Sequence, residues 1–336
     1  MDQNNLFVDM DSAEVSFRPS RGTQSEDYSI NSRMSTTNSH LQSPVAGGYI
    51  PVGAFYPEAG LRWDNQDFIN NCNTDSFVSF IKLMSLKHPN MLISSMRLKD
   101  DEAERTLKEI IEGFQSTVDC GCPQFVELMD NLARKAWVNN VMGIAPIFGQ
   151  RINLAGDEGL HIFNHLKRSM KIQWSYQCQC RPSGYQYDTV FCLGASSAAQ
   201  ITEINHSVDP SVGPRHRKRC KGCHHYPIFQ NLVLPKTTWL IRVLIQNPNF
   251  DYINLPNFFS AGTSVFKLGY VTFVHDSTPT IRHQTSAHLI KDQWFHYDGM
   301  RAGGKLIKLD GLSLPDRFKP ESALYFKWAD TGIILN

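Results

Sequence analysis

What most constrains the fold is a change of hydrophobic period along the chain. Phe77, Phe80, Ile81 and Met84 recur at i, i+3, i+4 and i+7, which predicts a helix opening at Cys72. Leu107, Ile110, Ile111 and Phe114 predict a second helix, and Phe125, Leu128, Met129 and Leu132 a third, with Pro123 in its first turn. A fourth helical segment is expected from Asp157 to Met170. Beyond Gln173 the pattern becomes short apolar runs bounded by Pro, Gly, Asn and Asp, the clearest at 238–246, 265–275, 286–291, 293–298 and 323–329. Helices first and strands afterwards predict an α+β fold, not an alternating doubly wound one.

With 336 residues, 41% of them hydrophobic, the chain can build one large core or two smaller ones. Residues 1–45 are rich in Ser, Asn, Gln and Thr, bury too little apolar surface to offset ordering, and are expected to be a disordered tail. From about Tyr49 the composition is globular, so residues 46–336 are expected to form the folded part. The formal charge of +1 supplies no field that would attract nucleic acid or a membrane surface. The start, MDQNNLFVDMDSAEV, has neither a basic nor an apolar leader region, and no stretch reaches the roughly 18 apolar residues of a membrane span. An intracellular protein, cytoplasmic or nuclear, is expected. In a reducing compartment its eight cysteines point to metal binding or catalysis, not to a disulfide framework.

Cys72 at a helix start suits a nucleophile, because unpaired N–H groups and the helix dipole favour a thiolate there. Its oxyanion donor would be Gln66, with Asn65, Asn70 and Asn71 as competitors for that role. The segment RHQTSAHLIKDQWFHYDGM offers a base and its orienting acid. If Lys291 and Asp292 make a tight turn, antiparallel pairing returns His283 and Asp298 to the same end of a ribbon. His288 and His296 lie in the same hairpin, and either is an alternative base.

Two close cysteine pairs, Cys178/Cys180 and Cys220/Cys223, flank an insertion of about 40 residues and suit a tetrahedral structural zinc site, with His224 or His225 able to replace one thiol. Cys120 and Cys122 have no second pair left except Cys192 and read as structural. His161 and His165 are spaced i, i+4, but no glutamate follows His161 as a metalloprotease motif requires, so they read as surface or packing residues. The basic run 215–219 reads as a solvated loop beside the second cysteine pair.

Taken in order over about residues 60–330, these pieces resemble the ubiquitin-specific proteases, papain-like cysteine peptidases. Cys72-Asn-Thr-Asp-Ser-Phe-Val-Ser-Phe-Ile resembles the family's cysteine box and Asp157-Glu-Gly-Leu-His-Ile-Phe its second helical box. The cysteine pairs resemble its zinc-bearing fingers, and His283 through Asp298 its histidine box. Trp63-Asp-Asn65 and the ending WFHYD are most similar to the divergent branch that acts on SUMO. Three positions depart from the family: Asp67 stands where its oxyanion asparagine would be, Arg282 replaces the glycine before the histidine, and Ser286 replaces an alanine.

The resemblance implies a helical thumb (about 60–170), zinc-ribbon-like fingers (about 171–232) and an antiparallel β palm (about 233–336). It also implies cysteine-dependent cleavage of isopeptide bonds to ubiquitin or SUMO by Cys72, His283 and Asp298. The alternatives are a catalytically inactive module of the same fold that binds ubiquitin or SUMO, and a zinc-stabilised scaffold using the basic loop.

Overall fold

A computed structural model of the chain describes residues 68–120, 123–145, 150–178, 180–195, 197–198, 201, 222–225, 229–247, 250, 252–261, 263–278, 281–290, 292–299, 306–312, 314 and 318–330. Gln66, Cys122, the basic run, Cys220 and the 1–45 tail lie outside them. No helix among these residues is long and apolar enough to cross a membrane.

The described chain starts with β1 (Phe68–Ile69), followed by helices α1 (Cys72–Lys87), α2 (Pro89–Ser95), α3 (Glu102–Cys120) and α4 (Pro123–Ala136). Next come β2 (Ile152–Asn153), β3 (Ile172–Cys178), β4 (Arg181–Val190), β5 (Leu193–Ala195), β6 (Phe229–Val233) and β7 (Leu240–Ile245). The remaining strands are β8 (Phe258–Ala261), β9 (Ser264–Thr278), β10 (Ile281–Ile290), β11 (Gln293–Tyr297), β12 (Leu306–Lys308) and β13 (Lys319–Asp330). The mixed class expected from the change of period is the class observed. One eight-stranded sheet runs β12-β11-β10-β9-β13-β7-β5, with β8 pairing β9, and is antiparallel apart from the β5–β7 pair. A separate three-stranded sheet has the order β4-β3-β6.

One core lies between the helices and the large sheet. Phe77, Phe80, Ile81, Leu107, Ile110, Ile111 and Phe114 pack there with Tyr270, Leu324 and Phe326. The opposite face of the sheet closes over a second core of Ile241, Val243, Phe266, Leu268, Phe273 and Tyr325. Phe80 settles onto β9 where residue 269 is glycine; a Cβ there would stand 2.6 Å from the Phe80 ring. Only glycine lets the helix approach the strand this closely.

α1 is buried along nearly its whole length, including Asp75 and Lys82. Those two charges are matched from α4: Lys82 Nζ donates to Asp130 at 2.7 Å and Arg134 Nε to Asp75 at 2.7 Å. The two ion pairs set the rotation of α4, because an unpaired buried charge costs several kcal/mol, about what burying two or three apolar side chains returns. Phe125, Leu128 and Leu132, three of the four residues of the stripe that predicts the helix, therefore face outward, about half exposed, while Asp130 and Arg134 face in and only Met129 of the stripe packs against the core.

The expected helix from Asp157 to Met170 is instead a five-residue π-helical turn, Gly159–Phe163, followed by turns. Trp137 Nε1 donates to the His161 carbonyl at 3.0 Å, the acceptor that the amide of residue 165 would take in an α-helix. The His165 amide bonds Ile162 instead, and the Asn164 amide reaches back five residues to Gly159. Glu158 anchors the turn on the sheet through Tyr270 Oη and Ser322 Oγ, both at 3.2 Å, with Arg242 at 3.7 Å. His161 and His165 serve packing: His161 is buried, and the His165 ring meets the edge of Trp137.

Candidate functional site

Cys72 is the first residue of α1, and its lead-in is tightly held. Phe68 and Ile69 pair in parallel with Ile152 and Asn153, and Asn70, at a φ of 56°, donates its amide to Asn153 Oδ1 at 3.0 Å. Asn73 donates its side-chain amide to the Gly156 carbonyl. The chain around residues 152–156 thus fixes the turn that delivers Cys72. Cys72 is partly exposed, and its thiol donates to Asn73 Oδ1 at 3.8 Å.

The β10–β11 hairpin comes back on itself as the turn chemistry requires. Ile290 pairs with Gln293, leaving two residues for the turn, of which Asp292 takes a φ of 61°. The register continues through Ser286 and Tyr297, so His283 and Asp298 arrive together at the open end. His283 Nε2 donates to Asp298 Oδ1 at 2.9 Å. The same imidazole lies close enough to Cys72 for the thiol to act on its pKa. The hydrogen bond to Asp298, then the Cys72 thiol beside it, push the His283 pKa up to about 9, against the opposing effect of burial. His283 is an imidazolium at neutral pH, and what it offers a neighbouring thiol is a positive charge and a proton.

The other hairpin histidines sit elsewhere. His288 is 1% exposed, stacked 5.4 Å from Tyr270, and shares a 2.9 Å hydrogen bond with Ser286 Oγ. Burial, then the neighbouring His296, press its pKa down to about 3, so it is neutral. His296 packs its ring edge against Phe318. Of the competing oxyanion donors, Asn70 and Asn71 have their amides committed to Asn153 and Asp75.

Sequence reasoning passed over a buried carboxylate next to Cys72. Asp75 accepts from Asn71 Nδ2 at 3.0 Å and Arg134 Nε at 2.7 Å, and a long contact of 3.4 Å joins it to Tyr297 Oη. Burial pushes its pKa up, and Arg134 and the other donors oppose the rise; burial alone would lower the Arg134 pKa, but Asp75 more than reverses this and keeps the guanidinium protonated. The signal was present as an acid in the first turn of a helix, where the dipole favours one.

Away from this cleft, the sulfurs of Cys178, Cys180 and Cys223 lie within 4.8 Å of one another. Cys178 ends β3 and pairs with Arg181, so the first two thiols ride on a tight turn, and the Cys178 and Cys223 sulfurs are 2.9 Å apart. Three convergent thiols form a group able to bind a metal ion.

Models of known protein families give no match to the chain, and neither do curated proteins. Among solved structures, the SAGA DUB module of Ubp8, Sgf11, Sgf73 and Sus1 is 10% identical at a TM-score of 0.41, over 81% of this chain and 68% of that one. The same module bound to ubiquitin aldehyde is 11% identical at 0.39, over 81% and 70%. The Saccharomyces cerevisiae PAN2 pseudoubiquitin-hydrolase is 10% identical at 0.37, over 85% and 92%.

Proposed function

We propose that this chain is an intracellular cysteine isopeptidase that removes ubiquitin or a ubiquitin-like modifier such as SUMO from proteins. The observation that carries the reading is the position of His283, bonded to Asp298 through Nε2 at 2.9 Å and close enough to Cys72, at the head of α1, for the thiol to act on its pKa. In this reading Cys72 is the nucleophile. Its thiolate attacks the carbonyl of the modifier's last residue, and His283 gives its proton to the departing lysine amine, leaving a thioester. Water then attacks the thioester while His283 takes a proton from it, and collapse of that adduct frees the carboxylate and regenerates the thiolate. Asp298 keeps the imidazole in the tautomer and orientation that both steps need. Gln66 remains the proposed oxyanion donor.

On this reading the helices before residue 170 are the thumb, the β4-β3-β6 sheet belongs to the fingers, and the large sheet is the palm. The folded part would run over 46–336 after a disordered 1–45 tail. Cys178, Cys180 and Cys223, with Cys220, would hold a structural zinc ion. That ion would add folding free energy to the small sheet and take no part in the chemistry.

The test is reaction of the full chain with ubiquitin and SUMO carrying a cysteine-reactive C-terminal group. An adduct lost in Cys72→Ala supports the reading, and its preference between the two modifiers assigns the substrate. Binding without an adduct would identify an inactive recognition module instead, and an adduct surviving Cys72→Ala would move the nucleophile elsewhere.

A further inference from the structure

The helix that presents Cys72 begins without a cap. Asn71 occupies the cap position, yet its side chain makes no capping hydrogen bond, and its backbone, at φ −93° and ψ 14°, lies outside the extended range that cap residues favour. An asparagine at this position ordinarily accepts a hydrogen bond from the second or third helical amide, which stabilises the helix. Here Asp75 draws the side chain the other way. Its carboxylate accepts from Asn71 Nδ2 at 3.0 Å, while its amide makes the first backbone bond of the helix to the Asn71 carbonyl at 2.9 Å, so the Asn71 side chain is held toward Asp75.

Asp75 is itself immobile. It is 1% exposed and fastened to Arg134 of α4, which is 2% exposed. Its second oxygen also faces Tyr297, the residue before Asp298. The carboxylate therefore touches the turn before the thiol, helix α4 packed behind it and the residue that ends the strand leading to the orienting acid.

We infer that Asp75 is a positioning residue: by holding the Asn71 amide away from the cap, it leaves the first amides of α1 open to negative charge at Cys72 and keeps the thiol in register with His283. The inference deepens the isopeptidase reading and rests on it for its purpose, since open amides at a helix N-terminus would stabilise both a thiolate and the oxyanion that forms on the substrate carbonyl when the thiolate adds to it. Their effect on the thiolate is measurable without any substrate.

The experiment follows the pH dependence of iodoacetamide alkylation at Cys72 in the full chain, read by mass spectrometry of the Cys72 peptide, alongside thermal unfolding. Asn71→Ser removes the amide that Asp75 grips and supplies a residue that caps well. It is expected to move the alkylation profile to higher pH and slow the reaction at pH 7 by about tenfold, with the melting temperature held or raised, because a cap neutralises the first-turn amides. Asp75→Asn is expected to shift the profile the same way, and Asn71→Ser carries the test if that variant does not fold.

A profile unmoved in Asn71→Ser, whatever happens to stability, leaves Asp75 a packing role only and overturns the inference. So does a wild-type profile already at the ordinary thiol value of about 8.5. A shifted profile in a protein that forms no adduct with ubiquitin or SUMO supports the positioning role and defeats the isopeptidase reading, so the two fail separately.

Discussion

Two histidines five residues apart on β10 have opposite fates. The side chain of His283 is 16% exposed, its ring bonds Asp298 and sits near Cys72, and its pKa is raised to about 9. His288 is 1% exposed among aromatic rings and stays neutral to about pH 3. Neither strand nor residue type separates them. The difference is position along the ribbon: the open end puts an imidazole beside an acid and a thiol, and the middle puts one into an apolar core, where charge is disfavoured.

The sharpest way to break this comparison is to remove each ring in turn. His283→Ala is expected to lower the rate of adduct formation with a modifier probe by about 10³-fold, the middle of the range for a positioned acid or base. His288→Phe is expected to leave that rate within about threefold, since burial and not reactivity explains its place. Equal losses would mean that the open end of the ribbon is not the reacting end.

A smaller effect tests Asp298 alone. Asp298→Asn is expected to cost about 10²-fold, because the imidazole loses the charge that stabilises its protonated form. The alkaline limb of the pH–rate profile, expected near 9 in the native protein because Asp298 and then Cys72 raise the His283 pKa, should fall toward the ordinary imidazole range. An unmoved limb would show that some other group holds His283 protonated.

The sequence made the pairing of His283 with Asp298 readable because a two-residue turn fixes register by counting. It left three histidines in contention because counting does not say which end is buried. The α4 stripe shows the same limit. Phe125, Leu128 and Leu132 revealed a helix, but periodicity assigns the apolar face inward, and only the three-dimensional match of Asp130 with Lys82 and Arg134 with Asp75 turned it out. The segment after Asp157 kept its helical composition, while a single indole donor from Trp137 captured the carbonyl that an α-helix needed. Such long-range partners lie 24 to 59 residues away in sequence, beyond any local pattern.

A stability measurement separates the histidines without chemistry. His288→Phe also leaves Ser286 Oγ without its ring partner and is expected to cost about 1–3 kcal/mol, read from denaturant midpoints at pH 7. Retention of full stability would mean that Ser286 loses nothing with the ring.

The smallest effect is the tilt of stability with pH, which should run in opposite directions for the two rings. Between about pH 3 and the unfolded value of 6.5, the unfolded chain binds a proton at His288 that the folded chain refuses. Stability therefore falls as pH drops through that window, by up to about 1.4 kcal/mol per pH unit from this residue. His283 acts on the other side. Its folded value near 9 exceeds the unfolded one, so its contribution is complete below about pH 6.5 and lost as pH rises to 9, with a total discounted because the ring is partly solvated. Each slope is taken as wild type minus variant, since Glu158, pushed up to about 7 by burial against the pull of Arg242, tilts stability the opposite way to His288 across the acid window. His288→Phe should flatten the acid side alone and His283→Ala the alkaline side alone; a variant that flattens the wrong side would mean that the two environments have been assigned to the wrong rings.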